Sequence, residues 1–199
     1  MTQPTFPTRV LHRVAPVLLA FGSSAAVAHT GLDAAEHHGF LSGLLHPMNG
    51  LDHLGAMLAV GLWSATTTAR PWAAPLSFAF TLLAGALLAQ AGLGLAGVEL
   101  MIMASLLVVG LLLAAQARLP VGAGAVLVGA FALFHGMAHG QELNGGMALL
   151  GMVMGTAVLH LAGLAAGLAL RQRFIWLPRV AGVAVAASGA VLGWSLLAA

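Results

Sequence analysis

Apolar residues run through most of this chain in blocks long enough to cross a bilayer, and polar residues fall mainly between the blocks. A helix of about 20 apolar residues spans the hydrocarbon core of a membrane. On that measure the pattern predicts spans at about 39–67, 75–93, 98–115, 121–139, 144–170 and 178–198. Small residues recur at four-residue spacing, as at Gly163 and Gly167, which lets helices pack closely in lipid. The expected fold is all-α, a polytopic transmembrane helical bundle of about six spans. No soluble domain or long linker is left over.

Residues 1–28 read as a signal peptide. Arg9, His12 and Arg13 form a basic start, residues 14–22 a short apolar core, and Ala26-Val27-Ala28 a small-x-small cleavage site. The competing reading is an uncleaved first helix. Cleavage would leave a transmembrane domain, residues 29–199, starting on the outer side at His29. A free α-amino group beside that imidazole suits a metal ion. The segment that follows holds Asp33, Glu36, His37 and His38, either a cation-gathering cluster or a solvated tail.

Composition and charge agree with the spans. The chain has 199 residues, 60% of them hydrophobic and only 6% charged, against about 25% charged in ordinary soluble domains. All basic side chains other than His are arginines. With an external start, Arg70, Arg118, Arg171, Arg173 and Arg179 all fall in inner loops. The outer loops near 92–97 and 141–145 hold no Lys or Arg, as the positive-inside rule asks. No basic cluster suits nucleic acid. The absence of cysteine removes disulfides, thiolate metal sites and Cys nucleophiles. Six spans also divide as three plus three with opposite entry directions, the arrangement of an inverted repeat. The halves share no evident sequence similarity, so this expectation is topological.

Nine histidines against five acids is the anomaly in the composition. Ionisable groups at membrane depth are costly and usually functional. One group is His46-Pro47-Met48-Asn49-Gly50-Leu51-Asp52-His53, set in an otherwise apolar span. Pro47 and Gly50 predict a broken or kinked helix, with Pro47 placed just after the break as a first helical residue. Seven residues of straight helix would part His46 and His53 by about 10.5 Å, too far for one ion. Either the break brings His46, Asp52 and His53 together, or they serve successive sites. Asp52 is a charge partner for a cation, or a group that only orients a histidine.

The second group is His135-Gly-Met-Ala-His139-Gly-Gln-Glu142. Its histidines share a helix face, and Glu142 follows on nearly the same face, a spacing that chelates divalent ions. The alternative is two core histidines bonded to backbone or to Ser/Thr. Among the single residues, His160 is a ligand or a satisfied core histidine, and Glu99 a ligand or a helix-terminal acid. The methionines read as core filler, with Met48 and Met137 set inside the histidine motifs. All the membrane-depth histidines and acids fall between the outer surface and the midplane. The leading site is therefore His46, Asp52, His53, His135, His139 and Glu142, with His29, His37, His38, Glu99 and His160 as entry or second-site candidates.

The run Gly39-Phe40…Gly43…His46-Pro47…Gly50-Leu51-Asp52-His53-Leu54…Met57…Ala59-Val60-Gly61 resembles the HupE/UreJ family of nickel/cobalt permeases. So does Phe134-His135-Gly136…His139-Gly140…Glu142, and the resemblance covers the whole chain. It implies a secondary transporter that carries Ni2+ or Co2+ across the bacterial inner membrane, associated with hydrogenase or urease maturation. Imidazole and carboxylate alone would equally suit zinc, copper or iron. The expected protein is a multi-pass permease with a periplasmic mature N-terminus, no permanent cofactor and no enzymatic activity. Its expected partners are the ion, the surrounding lipid and, as an option, further copies of the chain. An intramembrane metal-dependent hydrolase and a bis-His haem protein are the alternatives from other classes. No His-Glu-x-x-His run, Gly-x-Ser-x-Gly elbow or nucleotide-binding motif occurs. A channel or outward exporter is chemically close to the leading reading.

Overall fold

The computed structural model describes residues 39–171 and 174–198. Among them are seven helices and no strand: α1 (Phe40–Asn49), α2 (Leu51–Thr67), α3 (Ala73–Gln90), α4 (Val98–Ala115), α5 (Val121–Glu142), α6 (Gly146–Leu170) and α7 (Trp176–Ala198). Helices α3 to α7 are each long and apolar enough to cross a membrane. The signal-peptide expectation for residues 1–28 lies outside the described residues, as do His29, His37 and His38.

The span expected at 39–67 is broken. Gly50 takes an extended conformation (φ −98°, ψ 122°) and is at once the C-cap of α1 and the N-cap of α2. Its carbonyl accepts the Leu54 amide at 2.9 Å, so the second helix restarts at once. A side chain at Gly50 would meet Asp52 Oδ1 at 2.6 Å and the His53 ring at 3.0 Å. Glycine here lets Asp52 and His53 keep these positions, which a larger residue would displace. Pro47 corrects the sequence expectation, because it lies inside α1 and not after the break. Its missing N–H removes one bond near the helix end without stopping the helix, which runs two residues further to Asn49.

The break shortens the span. Phe40 packs on Gly151 of α6, and Ala65 on Gly167. Those contacts cover about 24 Å of rise along α6, whereas a straight helix from Phe40 to Ala65 would rise about 37 Å. Helix α2 runs parallel to α6, from Leu58 at Gly163 to Ala65 at Gly167, while α1 crosses α6 between Ala148 and Gly155.

Three helix pairings dominate: α1–α2 with α6, α3 with α5, and α4 with α7. Each is a seam of small residues that bring two backbones into contact. Gly61 and Gly163 face each other between α2 and α6, Gly136 meets Leu82 and Ala86 between α3 and α5, and Gly110 and Gly182 lock α4 to α7. The order of contacts makes α3 parallel to α5 and α4 antiparallel to α7. The expected small-residue seam at Gly163 and Gly167 is present, both residues packing on α2.

Large apolar side chains cover the outside, among them Phe80 (72% exposed), Val126 (72%) and Trp194 (75%). Lipid-facing helices require such a surface. Around Met57, Trp63, Phe78, Leu82, Leu113, Val128 and Met152 the centre is a closed apolar core. Arg118, Arg171 and Arg179 line a cavity of about 480 Å³ at the end opposite Glu142.

The seams predict a stability contrast. A Gly110→Val side chain would meet the backbone of Ala186 and Gly182, which cannot rotate away. It should cost about 1–3 kcal/mol and lower the unfolding temperature in detergent by several degrees. Gly122→Ala has open space and should leave stability unchanged or slightly raised. Equal thermal unfolding of the two variants would contradict this packing.

Candidate metal centre

Two helix C-termini converge on the site. His46 lies in the last turn of α1, and His139 in the last turn of α5, with Glu142 as its final residue. The C-terminus of a helix carries unpaired carbonyls and about half a negative charge. Both ends therefore favour a cation. His46 Nε2–H donates to Glu142 Oε2 at 2.8 Å. Ligand atoms of His46, His139 and Glu142 all lie within 4.8 Å of one another. Among the described residues, this is the group with the spacing and donor types of a metal site. The side chains of His46 and Glu142 are 14% and 32% exposed, while His139 is fully buried, so the trio opens to one end of the bundle.

A second tier lies directly below. The His139 ring stands between the two histidines of the first motif, 4.9 Å from His46 and 4.2 Å from His53, centroid to centroid. The break at Gly50 thus brings both motifs to one ring, with His46 and His53 each in contact with His139. Nδ1 of His53 lies 2.8 Å from Nδ1 of His135, so one nitrogen carries the proton and the other a lone pair. Nε2 of His135 is 2.8 Å from Ser105 Oγ, whose own proton goes to the Ile102 carbonyl at 2.6 Å. Asp52 sits in the first turn of α2, where the helix dipole favours a carboxylate. Its Oδ2 is 3.8 Å from His53 Nε2, close enough for charge to act and too far for a hydrogen bond.

Deeper still, Phe78 separates two histidines. Its ring centroid is 5.5 Å from His135 and 4.9 Å from His160. His160 is buried, with the Thr156 backbone beside its ring and no side-chain hydrogen-bond partner. Ser64 Oγ and Thr156 Oγ1 are buried and unpartnered.

The sequence expectations sort against this geometry. Glu142 and His139 join one group, as their spacing predicts. His135 sits one tier further in, bonded to His53 and Ser105. Glu99 is exposed in the first turn of α4 and makes no side-chain cap, so it acts at most through the dipole. Met48 and Met137 pack in the core. Sequence reasoning missed Ser105 and Phe78. Ser105 had a signal, being the one polar side chain between Glu99 and Gln116. Phe78 had none, since an aromatic in an apolar span is ordinary core.

Comparison with known proteins points the same way as the motifs. The family model described as "HupE / UreJ protein" matches residues 17–192. The chain is 39% identical over 175 residues to "Protein HupE" of Rhizobium leguminosarum bv. viciae, covering 85% of this chain and 90% of that protein. No solved structure matches the chain.

The His46–Glu142 contact predicts energetic coupling. In a thermodynamic cycle of His46→Ala, Glu142→Ala and the double variant, unfolding in detergent should show about 1 kcal/mol of coupling. Partial exposure keeps it from being larger. Additive effects would mean that the two side chains do not meet.

Proposed function

The chain belongs to the HupE/UreJ family, and on that footing we propose that it is a secondary permease for a divalent transition metal, nickel or cobalt. The observation that carries this reading is the trio His46, His139 and Glu142, with ligand atoms within 4.8 Å at two converging helix C-termini. Imidazole and carboxylate replace part of the hydration shell of the ion, and the helix ends add negative potential. Partial exposure of His46 and Glu142 supports entry from that end. The ion then passes to His53 and Asp52 in the adjoining tier, with His160 as a further candidate beyond Phe78. An inside-negative membrane potential draws the cation inward by about 2.3 kcal/mol per charge per 100 mV, and twice that for a divalent ion.

The helix pairings support a six-span topology built from two inverted halves, with α1–α2 as one span. Exchange of spans one, two and three with four, five and six turns the α1–α2/α6 pair into the α5/α3 pair. It maps α4/α7 onto itself. Parallel pairs stay parallel under this exchange, as the observed directions require. In this topology the arginine end faces the cytoplasm, the Glu142 end faces the periplasm, and the bundle lies in the inner membrane. Transport needs the helices to rock around the site, because the core below it is closed by Met57, Trp63, Leu82 and Val128.

Uptake of radioactive nickel and cobalt tests this reading in cells with matched membrane levels of each variant. Wild type should accumulate at least one of the metals. His139→Ala, His53→Ala and Asp52→Asn should each reduce uptake at least tenfold. Wild-type uptake equal to an empty vector for both metals would overturn the assignment of nickel and cobalt.

A further inference from the structure

A chain of three hydrogen bonds determines which nitrogen of His53 carries its proton. Ser105 has a single hydroxyl proton. Its Oγ lies 2.6 Å from the Ile102 carbonyl, a distance at which two oxygens attract only through a shared proton. That proton is therefore committed, and at 2.8 Å the hydroxyl must accept from His135 Nε2–H. As a neutral imidazole His135 then has a lone pair on Nδ1. Nδ1 of His53, 2.8 Å away, must donate to it. His53 is left with its lone pair on Nε2, the atom 3.8 Å from Asp52 Oδ2. Its ring stands 4.2 Å from that of His139.

The opposite proton order is unfavourable at its anchor. It would turn the Ser105 hydroxyl toward His135 and leave two buried oxygens facing each other at 2.6 Å. Ser105 is 2% exposed and His135 fully buried, so no bulk water is at hand to relieve that contact. Histidine ligands are commonly fixed in this manner, by the hydrogen bond at the other ring nitrogen.

We propose that Ser105 and His135 are positioning residues that hold His53 as its Nδ1–H tautomer, so that its Nε2 lone pair is presented to the metal ion beside Asp52 and His139. His135 is then a support for a ligand and not itself a ligand. The proposal rests on the permease reading only for the identity of what His53 binds. The proton placement is a property of the metal-free protein.

The test is nitrogen-15 NMR of the full chain, labelled at histidine and reconstituted in lipid without added metal. Histidine-to-glutamine variants assign the signals. His53 should appear as the Nδ1–H form and His135 as the Nε2–H form. In Ser105→Ala both should shift to mixed tautomers, and Ser105→Thr, which keeps the hydroxyl, should restore the wild-type pattern. Half-saturation of nickel uptake should rise about tenfold or more in Ser105→Ala and stay near wild type in Ser105→Thr. An Nε2–H form of His53 in the wild type overturns the proposal, and that spectrum decides even if Ser105→Ala does not accumulate. A His53 tautomer unchanged by Ser105→Ala overturns it as well, as does equal nickel half-saturation in the alanine and threonine variants. If the wild type takes up neither nickel nor cobalt yet shows the assigned tautomers, the permease reading falls and the proton placement stands.

Discussion

Polar groups inside a lipid-embedded bundle must satisfy one another, because no bulk water reaches them. The break at Gly50 is what allows it here. A straight first span would place His46 and His53 about two turns apart, each needing its own partners in an apolar core. With the break, His46 reaches Glu142 and His53 reaches His135, while the rings of both meet His139. Three segments far apart in sequence are thus joined through imidazoles, with Ser105 at the inner end of the chain. The same unwound point puts the negative end of α1 at the trio, beside the negative end of α5.

Close packing is the second condition. Imidazole contacts of this length require backbones that approach more nearly than large side chains permit. Glycine seams supply the approach on each of the three principal pairings, and Gly136 and Gly140 lie next to the two histidines of α5. The fold therefore trades bulk in its seams for geometry at its centre. Helix α7 shows the limit of that strategy. Its inner face is a stripe of Pro178, Gly182, Ala186 and Gly189, and nearly all the rest of its surface faces outward.

Much of this was legible in the chain itself. Helix type and approximate bounds followed from apolar blocks, because a helix that must satisfy its backbone in lipid has little freedom of length. The third predicted span matches α4 residue for residue. The pairing of His139 with Glu142 followed from helical spacing, which is local. What the chain did not disclose was long-range. No periodicity links His46 to Glu142 or His53 to His135, and the position of the break depended on which of Pro47 and Gly50 the packed structure would use. The hydroxyl at Ser105 was visible as a lone polar group, but its role depends on a ring brought in from another helix. Pro47 is tolerated near the end of α1, and the break falls at Gly50, beside the Asp52 and His53 side chains.

The central claim is that one metal ion meets imidazoles from both motifs at once. X-ray absorption at the nickel edge, on purified full-length protein loaded with nickel, tests it most directly. The account predicts a shell of nitrogen and oxygen only, with scattering from at least two imidazole rings, and loss of that pattern in His139→Ala. Bound nickel without imidazole scattering, or a spectrum unchanged in His139→Ala, would contradict it.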